Sequence, residues 1–366
     1  MEVLLGKTLT ELQEVALRLG LPKFAGKQLA EWLYVRRVTS FEQMTNISLK
    51  GREALKAQYT IGRYDPLKEA VSVDGTRKYL YEIQQSEGRS NSAAIRQRSG
   101  QTGEAGRFVE AVYLPEEDRA TLCVSTQAGC KMGCKFCMTG TLGFHGHLSA
   151  ADILNQVFYF LSPLASRLSP LTNLVLMGEG EPMDNLDNVL RALEILTADY
   201  GCAWSPKRIT VSTVGVPAMK RFIEESECHL AVSMHNPFPA ERTQIMPAEK
   251  MMSITEVVNL LKQYDWSHQR RVSFEYICWA GVNDTLRHAK ELVRLLKGLN
   301  CRINLIRFHE GVENIKNERR FPASDIKQME WLRDYLTENG LTTTIRRSRG
   351  EDILAACGML VNSLIR

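Results

Sequence analysis

A chain of 366 residues is long enough for two domains or for one large domain with an appendage; with 44% hydrophobic and 24% charged residues it has an ordinary globular make-up, and no apolar run reaches the roughly 18 residues of a membrane-crossing helix. The start, MEVLLGKTLTELQ, carries acids at Glu2 and Glu11 and is not a secretory signal, so the expectation is a cytoplasmic protein without a membrane partner. Nine cysteines in a reducing compartment point to metal binding or catalysis rather than a disulfide scaffold, while a net charge of +4 neither requires nor excludes a nucleic acid.

Residues 1–62 read as a small helical unit. LTELQEVALRLG starts with a Thr cap and ends at Gly20, and FAGKQLAEWLYVRR and LKGREALKAQY continue with helical apolar spacing. Nine Lys/Arg against six acids up to residue 60 suit an RNA-docking appendage, and equally a plain solvated cap. Residues 63–120 read as a hairpin linker, in which EAVSV and RKYLYEIQ meet at Asp74-Gly75, a hairpin signal. The Ser/Gly/Gln/Arg-rich stretch 86–106 has little to bury and is expected to be a mobile loop before RFVEAVYLP resumes the strand pattern.

From residue 121 the pattern alternates. TLCVSTQ, NLVLMG, RITVST, HLAVSMH, VSFEYICW, CRINLIRF and TTTIRR are strand-like, and amphipathic helical stretches separate most of them. Buried strands alternating with helices predict an α/β fold with a parallel sheet, here a partial (βα)6-type barrel over 121–366. Chemistry in such a barrel sits at the C-terminal ends of the strands.

The stretch CVSTQAGCKMGCKFCMTG lies just after the first of these strands. Cys130, Cys134 and Cys137 are spaced CxxxCxxC, with no second pair downstream. Structural zinc wants four N/S ligands in a closed tetrahedron, and His145 or His147 would have to supply the fourth. An iron–sulfur cluster suits three nearby thiolates better, and a four-iron cubane held by three cysteines leaves one iron open to another ligand. Cys123, on the strand before the loop, is free for a different task.

CxxxCxxC with Phe136 before its last cysteine resembles the radical S-adenosylmethionine (radical SAM) enzymes. YLPEEDRATLCVSTQAGCKMGCKFC, GEP at 180–182, RITVSTVG, LAVSMHNP, INLI and RSRGEDILAACG together resemble, more narrowly, the RlmN/Cfr family of RNA adenine methyltransferases. PEEDRATLC is more similar to the RlmN branch than to Cfr. The resemblance implies a radical SAM barrel, an RNA-binding role for residues 1–62, a [4Fe-4S] cluster on the three cysteines, and S-adenosylmethionine on the open iron, where its reductive cleavage gives a 5′-deoxyadenosyl radical. It implies methylation at adenine C2 in 23S rRNA at the peptidyl-transferase centre and in tRNA beside the anticodon. One S-adenosylmethionine would methylate Cys357; the radical from a second would activate that methyl group for addition to C2. Cys123 would then release the RNA by deprotonating C2 and forming a disulfide with Cys357, with Glu110 at the family's proton-acceptor position.

By the same resemblance Gly180, Glu181, Ser212, Ser233, Met234, His235 and His309 are cofactor positions, although His309 stands where many relatives carry Asn and Glu179 where they often carry Met. Lys207, Arg208, Arg346, Arg347 and Arg349 are candidate phosphate contacts. A reductant such as flavodoxin or ferredoxin, and a monomeric state, complete the expectation. The alternatives are C8 methylation of the Cfr kind, a radical SAM enzyme acting on a small molecule or protein, and a zinc-stabilised RNA-binding module without catalysis.

Overall fold

The computed structural model describes residues 1–83, 86–87, 108–162, 165, 168–266, 271–309 and 322–360. Residues 88–106 of the low-complexity stretch lie outside that set; Ser86–Glu87 pair antiparallel with His147–Leu148.

The N-terminal unit contains α1 (Leu9–Arg18), α2 (Ala25–Ala30) and α3 (Leu49–Gln58). Thr8 and Glu11 form a capping box at the start of α1, each satisfying a backbone N–H that the first helical turn cannot. A short parallel pairing of Glu2–Val3 with Tyr59–Thr60 ties the two ends of the unit together. Its core is continuous with that of the rest of the chain: the buried Tyr34 ring meets Phe158 and Tyr200, each at 6.3 Å between centroids.

One sheet of ten strands carries the remainder, in sequence order: β1 (Lys68–Val71), β2 (Arg77–Glu82), β3 (Phe108–Pro115), β4 (Ala120–Cys123), β5 (Asn173–Leu176), β6 (Ile209–Thr213), β7 (His229–Ser233), β8 (Val272–Cys278), β9 (Cys301–Arg307) and β10 (Thr342–Ile345). β4 to β10 run parallel, whereas β1 to β3 are antiparallel and extend the same sheet past β4. The segment read as a hairpin linker is therefore an integral wall of the sheet.

Helices α4 (Ala150–Phe158), α5 (Leu186–Thr197), α6 (Met219–Glu225), α7 (Pro239–Ile245), α8 (Ile254–Leu261), α9 (Leu286–Leu296) and α10 (Ile326–Glu338) connect the parallel strands. Capping boxes at Ser149/Asp152 and Ser253/Glu256 start α4 and α8, and α9 buries Ala289, Leu292, Leu295 and Leu296 on one face. The sheet curls until its two sides share an interior: Val112 and Leu114 of β3 and Thr342 and Thr344 of β10 line one cavity. Arg349 reaches across to donate to the Pro115 carbonyl. Among the described residues no helix is long and apolar enough to cross a membrane.

Candidate active site at the C-terminal ends of the parallel strands

The cysteine loop follows β4 and is closed by a small antiparallel pairing of Gln127–Gly129 with Phe144–Leu148. Its backbone is fixed by local bonds, Cys130 N–H to the Gly143 carbonyl at 2.9 Å and Cys137 N–H to Cys134 at 3.2 Å, and by Lys135 N–H to the Ile245 carbonyl at 3.0 Å. The thiols of Cys130, Cys134 and Cys137 line a cavity of about 140 Å³. Burial pushes all three thiols up, Cys130 to about 12, so they bind as thiolates only when a soft metal centre displaces their protons.

No three Cys, His, Asp or Glu side chains among the described residues converge tightly enough to hold a single metal ion. His145 and His147 are not in the cavity lining; His145 is 2.8 Å from the Leu142 carbonyl and His147 is 3.1 Å from Gln127 Nε2.

Gly180, Glu181, Ser212, Ser233 and His235 line the same cavity, brought there by the C-terminal ends of β5, β6 and β7. Gly180 has φ +100°, and a Cβ there would sit 2.5 Å from that of Gln127, so no other residue fits without moving the wall. The buried Glu181 carboxylate accepts from Val214 N–H at 2.8 Å and Met183 N–H at 3.1 Å, and burial still pushes it up to about 7. A buried carboxyl so raised is matched to a cationic partner.

His235 sits at φ +55°, a left-handed conformation unusual for histidine. Its Nδ1 accepts from Ile277 N–H at 3.0 Å, which leaves the proton on Nε2, and burial beside Arg242 holds it neutral with a pKa of about 3. Phe136 packs edge-on against His235 at 4.8 Å and near Trp279 at 5.3 Å, giving the cysteines an apolar surround with Ile245, Met246, Ile277 and Ile306.

Met234 does not belong to this lining. Its side chain is fully buried in the main core, and only its backbone serves the site, through its N–H to the Glu275 carbonyl at 3.0 Å. Period-two alternation along β7 explains this, since it sends Ser233 and Met234 to opposite faces.

A second cavity, about 1180 Å³, runs down the barrel interior and is lined by Cys123, Cys137, Cys357, Arg346, Arg347, Arg349 and His309. Cys357 lines both cavities, exposed toward their shared space though enclosed by the barrel. Burial and the neighbouring Cys357 push the Cys123 thiol up to about 12, with Arg346 opposing; burial likewise raises Cys357, again against Arg346. The two thiols and one guanidinium thus form a mutually interacting group.

His309 lies apart from the cysteine cavity: Nδ1 is 3.3 Å from Glu351 and Nε2 meets the Ser348 hydroxyl. Lys207 and Arg208 precede β6 and therefore occupy the opposite end of the barrel from the cysteine loop, so the five candidate phosphate contacts are two groups. Glu110 lines neither cavity. It is fully buried one layer behind, 3.1 Å from Lys78 Nζ, and its backbone N–H donates to Glu179 at 2.9 Å. Burial, then the neighbouring Glu110, push Glu179 up to about 8.

Two contributors carried no signal in the sequence. Arg242 on α7 is fully buried; it donates to the carbonyls of Met234 at 2.9 Å, Ser233 at 2.8 Å and Val214 at 2.6 Å, and pairs with Glu249, pinning the ends of β6 and β7. Glu275, on β8, is buried in the cysteine-cavity wall. Of the remaining cysteines, Cys228 and Cys278 are core residues, Cys202 is half-buried against Tyr34, and Cys301 lines the far end of the large cavity.

Comparison with known proteins follows this division of the chain. Residues 3–61 match the ribosomal RNA large subunit methyltransferase N-terminal domain, and residues 124–296 match the radical SAM superfamily. The chain is 57% identical to the probable dual-specificity RNA methyltransferase RlmN of Bacteroides fragilis, over 98% of this chain and 95% of that one. It is 38% identical to the dual-specificity RNA methyltransferase RlmN of Geobacter sulfurreducens, over 98% and 92%. The crystal structure of a radical SAM methyltransferase from Sphaerobacter thermophilus superposes with a TM-score of 0.83 at 33% identity, covering 98% of this chain and 99% of that one.

Proposed function

We propose that this chain, which belongs to the RlmN family of radical SAM RNA methyltransferases, methylates C2 of adenosine in 23S rRNA and in tRNA. Its cofactors are a [4Fe-4S] cluster and S-adenosylmethionine. Bound together, they supply a methyl group for transfer and, on one-electron reduction, a 5′-deoxyadenosyl radical.

Cys130, Cys134 and Cys137 hold the cluster. Gly180 leaves room for close backbone approach, and Glu181, buried in the cavity wall beside it, takes the ammonium group of S-adenosylmethionine. Ser212, Ser233 and the neutral His235 furnish the remaining polar wall.

Cys357 accepts the methyl group, because its thiol faces both the cofactor cavity and the large cavity. That placement is the observation carrying the reading: one sulfur reaches the methyl donor on one side and a bound RNA base on the other. Its S-methyl carbon, after giving a hydrogen atom to the 5′-deoxyadenosyl radical, would join adenine C2, and the adduct would regain a closed shell by losing the C2 proton to a base and one electron to the oxidised cluster. Cys123 then attacks the Cys357 sulfur. The S–CH2 bond breaks, the disulfide forms, and the electron pair left on the methylene carbon takes a proton to complete the methyl group. Of the two candidate bases for the proton on C2, Cys123 faces the cavity, while Glu110 lies behind it, paired with Lys78.

RNA made in a strain lacking the gene, incubated with the reconstituted enzyme, S-adenosylmethionine and a low-potential reductant such as reduced flavodoxin, tests this. Nucleoside mass spectrometry should show 2-methyladenosine from both RNAs. Formation of 8-methyladenosine, or of neither product by a protein that still cleaves S-adenosylmethionine, rejects it.

A further inference from the structure

The cysteine loop is a wall one residue thick. Cys130, Met132, Cys134 and Phe136 line the cofactor cavity. Lys131, Gly133 and Lys135 alternate with them, line neither cavity and are exposed. Gly133 has φ +62°, and a Cβ on it would meet nothing closer than Pro247 Cγ at 3.9 Å, so it points outward. With no side chain there, only backbone separates solvent from the thiols on either side of it.

The turn after α7 extends this outer surface. Lys135 N–H donates to the Ile245 carbonyl at 3.0 Å, and the turn that follows brings the exposed Lys250 and Met251, the latter 56% exposed. The charge of the surface has one sign. Residues 130–151 contain two lysines, two histidines and no acid. Residues 242–255 contain one acid, Glu249, which is buried against Arg242. Asp184 reaches the loop from outside it and pairs with Lys131 at 2.9 Å, yet the lysine side chain stays 44% exposed. Three lysines thus surround an apolar spot made by Pro247 and Met251, directly behind the cluster ligands.

Electron transfer slows steeply with distance, so an electron for the cluster must enter where the protein layer is thinnest. The inner side of the loop is taken, since Cys123 and Cys357 face the barrel interior where the RNA base must come. We infer that Lys131, Lys135 and Lys250, with Met251 at their centre, form the docking surface for a small acidic electron-carrier protein. Carboxylates around the carrier's redox group meet the lysines, and the flexible Met251 side chain fills the apolar contact. The carrier is oxidised by one electron, the cluster is reduced by one, and no atom changes hands. The inference rests on the proposed function only in placing a reducible cluster behind the loop.

Reduced and oxidised flavodoxin are the probes, used on the reconstituted holoenzyme at low ionic strength and without RNA. Titration gives the dissociation constant, and bleaching of the cluster's visible absorbance gives the rate of reduction. Lys135→Glu/Lys250→Glu should weaken flavodoxin binding by about tenfold or more and slow flavodoxin-driven reduction alike, with a flatter salt dependence. Dithionite, which needs no docking surface, should reduce the same variant at the wild-type rate. Lys290→Glu/Lys327→Glu makes the same change of net charge on α9 and α10, where both lysines are exposed, and should leave flavodoxin binding unchanged. Unchanged binding in the first pair, or equal weakening by both pairs, overturns the inference. So does a loss seen only in separate titrations with an RNA hairpin, which would make the patch an RNA surface. If Lys135→Glu fails to retain iron, Lys250→Glu alone carries the test, since it lies outside the cysteine loop. A wild-type enzyme that makes no methyladenosine would sink the proposed function alone, because flavodoxin binding and cluster reduction are read without RNA.

Discussion

The cysteine loop at 130–137 and the segment Arg346–Leu360 deliver thiols to the same cavity but are held by opposite means. The loop is held mainly by neighbours close in sequence, such as Cys130 N–H to Gly143 and Gly140 N–H to Cys137 at 3.1 Å. The Cys357 segment has almost no regular structure of its own and is strapped at both ends to distant parts of the chain. At one end Gly350 N–H donates to Asp74 at 3.0 Å, Ser72 and Val73 donate to Asp352, and Lys78 donates to the Leu354 carbonyl at 3.3 Å. At the other, Met138 N–H donates to the Gly358 carbonyl at 2.8 Å and the Thr139 hydroxyl to Leu360 at 3.0 Å. A metal ligand needs to stay put, so a self-contained loop serves it. A sulfur that must meet a methyl donor, an RNA base and a second thiol in turn is better carried on a strap anchored away from the chemistry.

The largest expected effect comes from breaking the loop side. Cys130→Ala removes one of three protein ligands and should abolish the cluster, the 5′-deoxyadenosine it helps to form and every later step. Iron analysis and visible absorbance measure the first loss, chromatography the second. A brown, active Cys130→Ala protein would remove the loop from the mechanism.

Arg242→Met should cost stability on the same side without touching a thiol. It leaves Glu249 buried and unpaired and frees three carbonyls at the strand ends, so a loss of about 3–5 kcal/mol is expected in urea unfolding. A change below about 1 kcal/mol would mean that the loop is rigid without it.

The strap side should fail in a different manner. Cys123→Ala is expected to keep the cluster and accumulate protein joined covalently to RNA, whereas Cys357→Ala should form no adduct. A denaturing gel with labelled RNA separates the two. Normal turnover by Cys123→Ala, or an adduct on Cys357→Ala, would reverse the assignment.

These contrasts track what the sequence could show. Spacing alone picked out Cys130, Cys134 and Cys137, because a loop ligand set is local, and period-two alternation located the strands that bring Ser212 and Ser233 to one cavity. Strand periodicity could not say that Glu110 faces away from that cavity, since an inward layer and a layer behind it read alike. Arg242 carried no signal in the sequence, because its role depends on three carbonyls that only the fold brings around it. The role of Ser72–Lys78 as an anchor was invisible for a plainer reason: its partners lie at 350–354, and no local pattern encodes a contact of that range.

Glu179 joins the two sides, accepting from Gly129 N–H at 3.4 Å beside the loop and from Glu110 N–H at 2.9 Å on the strap side. Its folded pKa, about 8, stands above the unfolded 4.5. Between those values the unfolded chain holds fewer protons, so this group takes stability away as pH rises through the window. Glu179→Gln does not titrate and can still accept from Glu110 N–H. Its unfolding free energy relative to wild type should differ by near zero at pH 4.5 and climb toward pH 8, with a limiting slope of about 1.4 kcal/mol per pH unit in urea unfolding at each pH. A pH-independent difference would mean that Glu179 ionises normally despite its burial.

The smallest effect, and the most discriminating for the strap, is Thr139→Val. It is nearly isosteric and deletes the buried hydrogen bond to the Leu360 carbonyl together with the hydroxyl's contact to the Cys137 thiol. The net worth of such a bond is about 1 kcal/mol, or roughly fivefold in an equilibrium. If the strap presents Cys357 to Cys123, the loss should fall on the step that joins those two sulfurs. Iron content and S-adenosylmethionine cleavage should stay at wild-type levels, while decay of the RNA adduct slows by a few-fold. Asp352→Asn, at the other anchor, should act in the same direction through a wholly separate contact. Quenched time courses of adduct decay measure both. Unchanged decay in both variants would mean that the segment reaches Cys123 without its anchors. Loss of the cluster in Thr139→Val would instead make residue 139 part of the cysteine loop's own scaffold, and the division between the two regions would have to be redrawn two residues after Cys137.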